Sequence, residues 1–136
     1  MTNLERFMAV LDKQKMNYVR SEAKILHIVP DPFKNMGYTE IDVCFDVDYS
    51  GDVQLYIPYL GKFAEDRQTV GMATCNALNE KYRWVNFYLN SESQGCARCD
   101  FVLHGKDAGE ECLELLMRML QIVDEAYPDL MNALYC

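Results

Sequence analysis

Basic residues are in deficit: thirteen Lys and Arg stand against twenty-one Asp and Glu, a formal charge of −8. The cations are scattered rather than gathered into a stripe. A nucleic-acid binder needs a basic footprint to displace counterions from phosphates, so that class is excluded. No apolar stretch approaches the ~20 residues of a membrane-spanning helix, and an anionic membrane would repel an acidic surface. The seven glycines never gather into a phosphate-cradling loop, and no G-x-S-x-G or similar turn presents a nucleophile. Neither His27 nor His104 is paired with a cysteine or histidine at metal-ligand spacing. What is left is a chain whose partners are proteins or small molecules, with no cofactor implied.

Half of the 136 residues are apolar and a quarter are charged, the balance of an ordinary globular protein. At this length one domain spanning 1-136 is expected, burying roughly two thirds of the surface its unfolded chain exposes. The opening Met1-Thr2-Asn3-Leu4-Glu5-Arg6 has no basic segment followed by an apolar run, which predicts a cytoplasmic protein. Six cysteines are spread thinly, unlike the dense frameworks of small secreted domains, and read as reduced, mostly buried thiols.

Thr2-Asn3-Leu4-Glu5 has the spacing of a capping box, and Leu4, Phe7, Met8 and Leu11 follow at i, i+3, i+4 and i+7, predicting an amphipathic first helix. Tyr18-Val19 and Lys24 to Val29 read as short strands joined at Ser21-Glu22. Asp31 to Thr39 is a loop by its Pro, Asn and Gly content. Ile41, Val43, Phe45, Val47 and Tyr49 alternate with polar residues, and Val53, Leu55 and Ile57 return after a turn at Ser50-Gly51-Asp52, predicting a hairpin. A second helix is expected from Glu65-Asp66 to about Lys81, its buried side made of Val70, Met72, Cys75, Leu78 and Tyr82. Trp84 to Leu89 and Ala97 to Leu103 form a second hairpin. From Asp107 a long helix has an apolar half-cylinder; Met117 alone interrupts its polar side, and Glu114 and Arg118 are placed to pair. Pro128 is expected to break or kink it, with Asp129 to Tyr135 adding one or two last turns. The fold class is therefore α+β: an antiparallel twisted sheet of two hairpins plus short N-terminal strands, packed with three helices.

Cys96-Ala97-Arg98-Cys99 suggests redox chemistry, but such a thiolate is normally activated at a helix N-terminus. Here the motif starts a strand, where alternation sends Cys96 and Cys99 to opposite faces. It also supplies half of a zinc site at most, so no metal is assigned. Asp42, Asp46, Asp48 and Asp52 lie on the wet side of a strand and its turn, without calcium-loop spacing, and read as solvated. His27 alternates with Leu26 and Ile28 and decorates the sheet. No catalytic residue is assigned, and a non-enzyme is expected.

Eight Met and nine Tyr exceed what a plain core needs, and such side chains suit adaptable binding surfaces. Met36 and Tyr38 in the loop, Tyr56 and Tyr59 near the first hairpin, and Met117 on the last helix are the candidate interaction residues. The alternative is a small ligand-binding domain or enzyme with a pocket between sheet and helices.

Phe63-Ala64-Glu65-Asp66, Cys75-Asn76-Ala77-Leu78-Asn79, the run Lys81 to Leu89, Gly109-Glu110-Glu111-Cys112 and Asp124-Glu125-Ala126-Tyr127-Pro128 together resemble the bacterial YbjN domain family. The resemblance implies a type III secretion chaperone-like sandwich of helices on a twisted antiparallel sheet, commonly a homodimer. It also implies a role as a sensory transduction regulator or a chaperone-like protein-binding module of unknown function, and names no active-site residues.

Overall fold

The computed structural model describes residues 2–22, 24–45 and 51–135. Helix α1 (Asn3–Lys13) leads into strands β1 (Tyr18–Ser21), β2 (Ile25–Ile28), β3 (Ile41–Phe45) and β4 (Asp52–Ile57). A 3-10 turn (Glu65–Arg67) runs into α2 (Gln68–Lys81), followed by β5 (Asn86–Leu89), β6 (Gly95–Val102) and α3 (Ala108–Tyr135). The six strands form one antiparallel sheet in the order β1-β2-β3-β4-β6-β5. The α+β class and the strand and helix order agree with the sequence pattern. The outer half of the first hairpin's leading strand, with Val47 and Tyr49, and the carboxylates Asp46 and Asp48 lie outside the described residues, as does Cys136.

Strand alternation sorts the sheet into two faces. Leu26, Val43, Leu55 and Cys99 are successive cross-strand partners and form a buried row on one face. His27, Asp42, Tyr56, Arg98 and Asn86 form the matching row on the other. The helices cover the apolar face. Phe7 of α1 packs its ring 5.9 Å from that of Phe45, Gly71 of α2 meets Leu89, and α1 lies along α3. Phe7, Leu11, Leu55, Leu116, Met119 and Leu120 are buried between sheet and helices.

Thr2 caps α1 as expected: its hydroxyl accepts from the Glu5 N–H at 3.1 Å, and the Glu5 carboxylate accepts from the Thr2 N–H at 3.2 Å. These bonds hold the Glu5 carboxyl below its ordinary pKa. Arg118 and Glu114 pair at 2.6 Å on the exposed side of α3; a pair so exposed contributes little.

Three expectations are corrected. In α2 the buried residues are Gly71, Cys75 and Leu78, while Val70 and Met72 face out, Met72 with 55% exposure. The cause is steric: a Cβ at Gly71 would lie 2.8 Å from the Phe63 ring, so this side of the helix comes closest to its neighbours and the bulkier residues turn away. Trp84 is not part of β5. Its φ of 45° and a hydrogen bond from the Val85 N–H to the Arg83 carbonyl make a tight turn, and extension begins at Asn86. Pro128 does not break α3; the last turns expected over Asp129 to Tyr135 are formed, but as a continuation of the same helix.

Both edges of the sheet are short strands, and β5 is closed by a side chain. Asn79 of α2 accepts from the Phe87 N–H at 2.7 Å and donates to the Phe87 carbonyl at 3.0 Å. The backbone groups that an edge strand would offer to another chain are thereby occupied at that residue.

Candidate interaction groove

Three of the five candidate interaction residues meet in one place. Met36, Tyr38 and Tyr59 line an open groove of about 520 Å³ whose far wall is the last two turns of α3, with Tyr127, Met131, Leu134 and Tyr135. Three tyrosines stand up around it: Tyr38 is 75% exposed, Tyr59 55% and Tyr135 79%. The lining is mixed: Leu60, Met131 and Leu134 supply apolar surface beside Thr39 and Lys62. Met36 is only 8% exposed, so its side chain belongs to the core and supports the groove from beneath.

Both walls are held by hydrogen bonds to rigid elements. In the 31–39 loop the Phe33 and Gly37 backbones bond each other reciprocally at 3.0 Å, and the Asn35 and Met36 N–H groups donate to one Asp124 carboxylate oxygen at 2.9 and 2.8 Å. The opposite wall, 58–64, is tied to the β5–β6 turn: the Leu60 N–H donates to the Gly95 carbonyl at 2.7 Å and the Phe63 N–H to the Ser93 carbonyl at 2.9 Å. Arg67 donates twice to the Ala133 carbonyl, at 3.1 and 2.7 Å, occupying an acceptor that the end of α3 leaves over. The tyrosines are therefore presented from fixed backbone, which lowers the ordering cost of a contact.

The other two candidates lie elsewhere. Met117 is half-buried beside Met16, Val29, Pro30 and Phe33 in a smaller hollow of about 360 Å³. Tyr56 lies on the open sheet face, where its hydroxyl donates to the Cys96 sulfur at 3.7 Å; burial, then that bond, push its pKa upward. The α3 residues of the groove were not singled out, because Tyr127 was counted with the buried half of the helix and the turns beyond Pro128 were given no surface role. The apolar spacing of Tyr127, Met131 and Leu134 across Pro128 is the signal that could have located them.

Cys75, Cys96, Cys99 and Cys112 behave as buried thiols. Cys99 joins the helix-covered face, while Cys96 points to the other and donates to the Pro58 carbonyl at 3.4 Å, so alternation separates them as expected. Burial raises Cys75 and Cys99 to about 11 and moves Cys112 up as well, which keeps these thiols protonated at neutral pH. Asp42 and Asp52 lie at opposite ends of the β3–β4 hairpin. Asp42 instead meets His27, with Nδ1 and the carboxylate oxygen 2.6 Å apart.

No family model matches the sequence, and no curated protein matches it. Solved structures do match. YbjN, a candidate transcription regulator from E. coli, superposes with a TM-score of 0.66 at 10% identity, covering 91% of this chain and 87% of that one. The fold is YbjN-like. A chain of the heterodimeric ExoU–SpcU complex from the type III secretion system of Pseudomonas aeruginosa superposes with a TM-score of 0.59 at 13% identity, over 93% of this chain and 96% of that one. The resemblance seen in the sequence is thus borne out as a fold. At this identity the YbjN-like architecture carries no mechanism with it, and function has to be argued from the surface. Among the described residues, no helix is long and apolar enough to cross a membrane.

Proposed function

We propose that this chain is a non-catalytic cytoplasmic protein-interaction module, chaperone-like or regulatory, acting as one domain and binding an apolar segment of a partner protein in the tyrosine-rimmed groove. The observation that carries the reading is the trio of exposed tyrosines, Tyr38, Tyr59 and Tyr135, standing on hydrogen-bonded loops and the end of α3 around a groove to which Leu60, Met131 and Leu134 give apolar surface. Tyrosine buries a large area at small rotamer cost and keeps a polar tip, the profile of residues that dominate protein contacts. The charge of −8 favours a segment with basic flanks. Free thiols at Cys44, Cys75, Cys96, Cys99 and Cys112 suit a reducing compartment.

A homodimer is part of this proposal. The apolar half of α3 is used within the chain, against α1 and the sheet, so the support for self-association moves to α2. There Val70 and Met72 are exposed, and Val70, Ala73 and Ala77 line a shallow hollow.

The test is peptide display on the immobilised full chain, with a Tyr59→Asp, Tyr135→Asp double variant as the counter-selection. Apolar peptides with Lys or Arg flanks that bind the native chain and not the variant are expected. Peptides that bind both equally, or no selection at all, would remove the groove. Light scattering after size exclusion tests the dimer, and a strict monomer at high concentration would end that part of the proposal.

A further inference from the structure

The polar face of the sheet carries a second arrangement that the groove does not use. His27 on β2 and Asp42 on β3 are direct cross-strand partners, and Glu40 lies two residues before Asp42, on the same side by alternation. The His27 Nδ1 is 2.6 Å from an Asp42 oxygen and 3.2 Å from a Glu40 oxygen. All three ligand atoms lie within 4.8 Å of one another, and each side chain is partly exposed. Among the described residues this is the one group of three or more His, Cys, Asp or Glu side chains with ligand atoms so close together.

We propose that His27, Glu40 and Asp42 form a surface site for a divalent transition ion of the zinc class. One imidazole nitrogen and two carboxylate oxygens are a borderline donor set, suited to zinc, cobalt or manganese rather than to calcium, which takes six or more oxygens. Zinc bonds to such atoms are about 2.0 to 2.2 Å long, so neighbouring ligands in a tetrahedron stand roughly 3.3 to 3.5 Å apart. The Glu40 to His27 separation is already close to this. The Asp42 oxygen has to withdraw by less than about 1 Å, which rotation of its carboxylate supplies.

Two features favour an ion over a bare ion pair. Both carboxylates aim at the same nitrogen, which carries at most one hydrogen, and one hydrogen cannot lie along two directions at once. A cation set among the three atoms satisfies both oxygens and the nitrogen together. The site also sits on paired strands, so two of its three ligands are brought into place by the same backbone bonds that build the sheet. The exposed side leaves room for water, or a donor atom from a bound molecule, as the fourth ligand.

The experiment is calorimetric titration of Zn²⁺ into the full chain, stripped beforehand with chelator, alongside Co²⁺ followed by its visible absorption. One ion per chain is expected. His27→Gln should weaken binding by at least about tenfold and abolish the cobalt band, with Glu40→Gln and Asp42→Asn each costing about tenfold or more. Cys44 stands two residues beyond Asp42 on the same strand face, so Cys44→Ser is the control and should leave affinity within about twofold. Circular dichroism on the stripped variants confirms folding; should His27→Gln unfold, the exposed Glu40→Gln decides. Zinc binding unchanged by His27→Gln or Glu40→Gln, loss only in Cys44→Ser, equal binding of Mg²⁺, or no binding at all would each overturn the site.

Discussion

The side-chain amide of Asn35 donates to the main-chain carbonyl of Asp124 at 2.9 Å, and that is the carbonyl Pro128 leaves without its helical donor. A proline inside a helix removes the bond from residue i to i−4 and crowds the carbonyl there. Here the freed acceptor is taken up by a loop almost ninety residues earlier in the chain. The same proline that was expected to break or kink α3 is therefore where the 31–39 loop docks, and that loop carries one wall of the groove.

Asn35→Ala should lower stability by about 0.5 to 1.5 kcal/mol, the usual worth of one hydrogen bond at a site water can reach. Pro128→Ala restores the helical bond and removes a residue that costs about 3 kcal/mol in an unrelieved helix, so a net gain of about 1 to 2 kcal/mol is expected. In the Pro128→Ala background the carbonyl has a helical donor, and Asn35→Ala should cost less. Urea denaturation of both single variants and the double variant gives the coupling. An identical Asn35→Ala cost in both backgrounds would sever the two residues.

Gly109→Ala should destabilise by about 1 to 3 kcal/mol even after the ~1 kcal/mol that alanine gains in a helix. A Cβ there would stand 2.5 Å from the Arg6 carbonyl oxygen, and backbone cannot step aside without moving α1 off α3. Gly71→Ala meets the Phe63 ring at 2.8 Å, a side chain that can tilt, and should cost less. Thermal melts rank the two; the reverse order would contradict the close approach of α1 to α3.

Asn79→Ala strips both partners from the Phe87 backbone and should cost about 1 to 3 kcal/mol. It also opens the β5 edge, so concentration-dependent association is expected where the native chain shows less. Denaturant midpoints and light scattering report the two effects separately. A variant with native stability would show that water replaces Asn79 without loss.

In metal-free buffer His27 should make stability fall as pH rises through neutrality. The hydrogen bond to Asp42 raises its pKa above 6.5, with the Asp42 and Glu40 charges adding to the rise and partial burial opposing it. A folded pKa above the unfolded one means that the native state holds the proton more tightly. The contribution is fully present below 6.5 and is lost as pH climbs through the folded pKa. Imidazole proton shifts should give a titration midpoint above the ordinary value, and Asp42→Asn should bring it back. Denaturant midpoints from about pH 5 to about pH 9 should lose the same step.

Short-range patterns told most of the fold. Thr2 and Glu5 mark a helix start because capping is satisfied within one turn, and Val43, Phe45, Val53 and Leu55 mark strands because side-chain alternation follows from backbone geometry alone. The wide apolar side of α3 had to be covered, and α1 and the sheet cover it. Cys96 and Cys99 were separable in advance for the same reason of period two. The placing of Met36, Tyr38 and Tyr59 near one another was legible only as a surplus of such residues around a loop and a hairpin.

What tertiary structure alone decided are the contacts between segments distant in the chain. Asn35 reaching Asp124, Asn79 reaching Phe87, and His27 meeting both Glu40 and Asp42 depend on register and docking, which local propensity does not encode. Val70 and Met72 face outward because a neighbouring ring leaves room only for Gly71, and α3 passes through Pro128 because a remote amide takes over the orphaned carbonyl. Helices and strands arise from nearest-neighbour chemistry; the groove and the His27 cluster arise from which surfaces that chemistry then brings face to face.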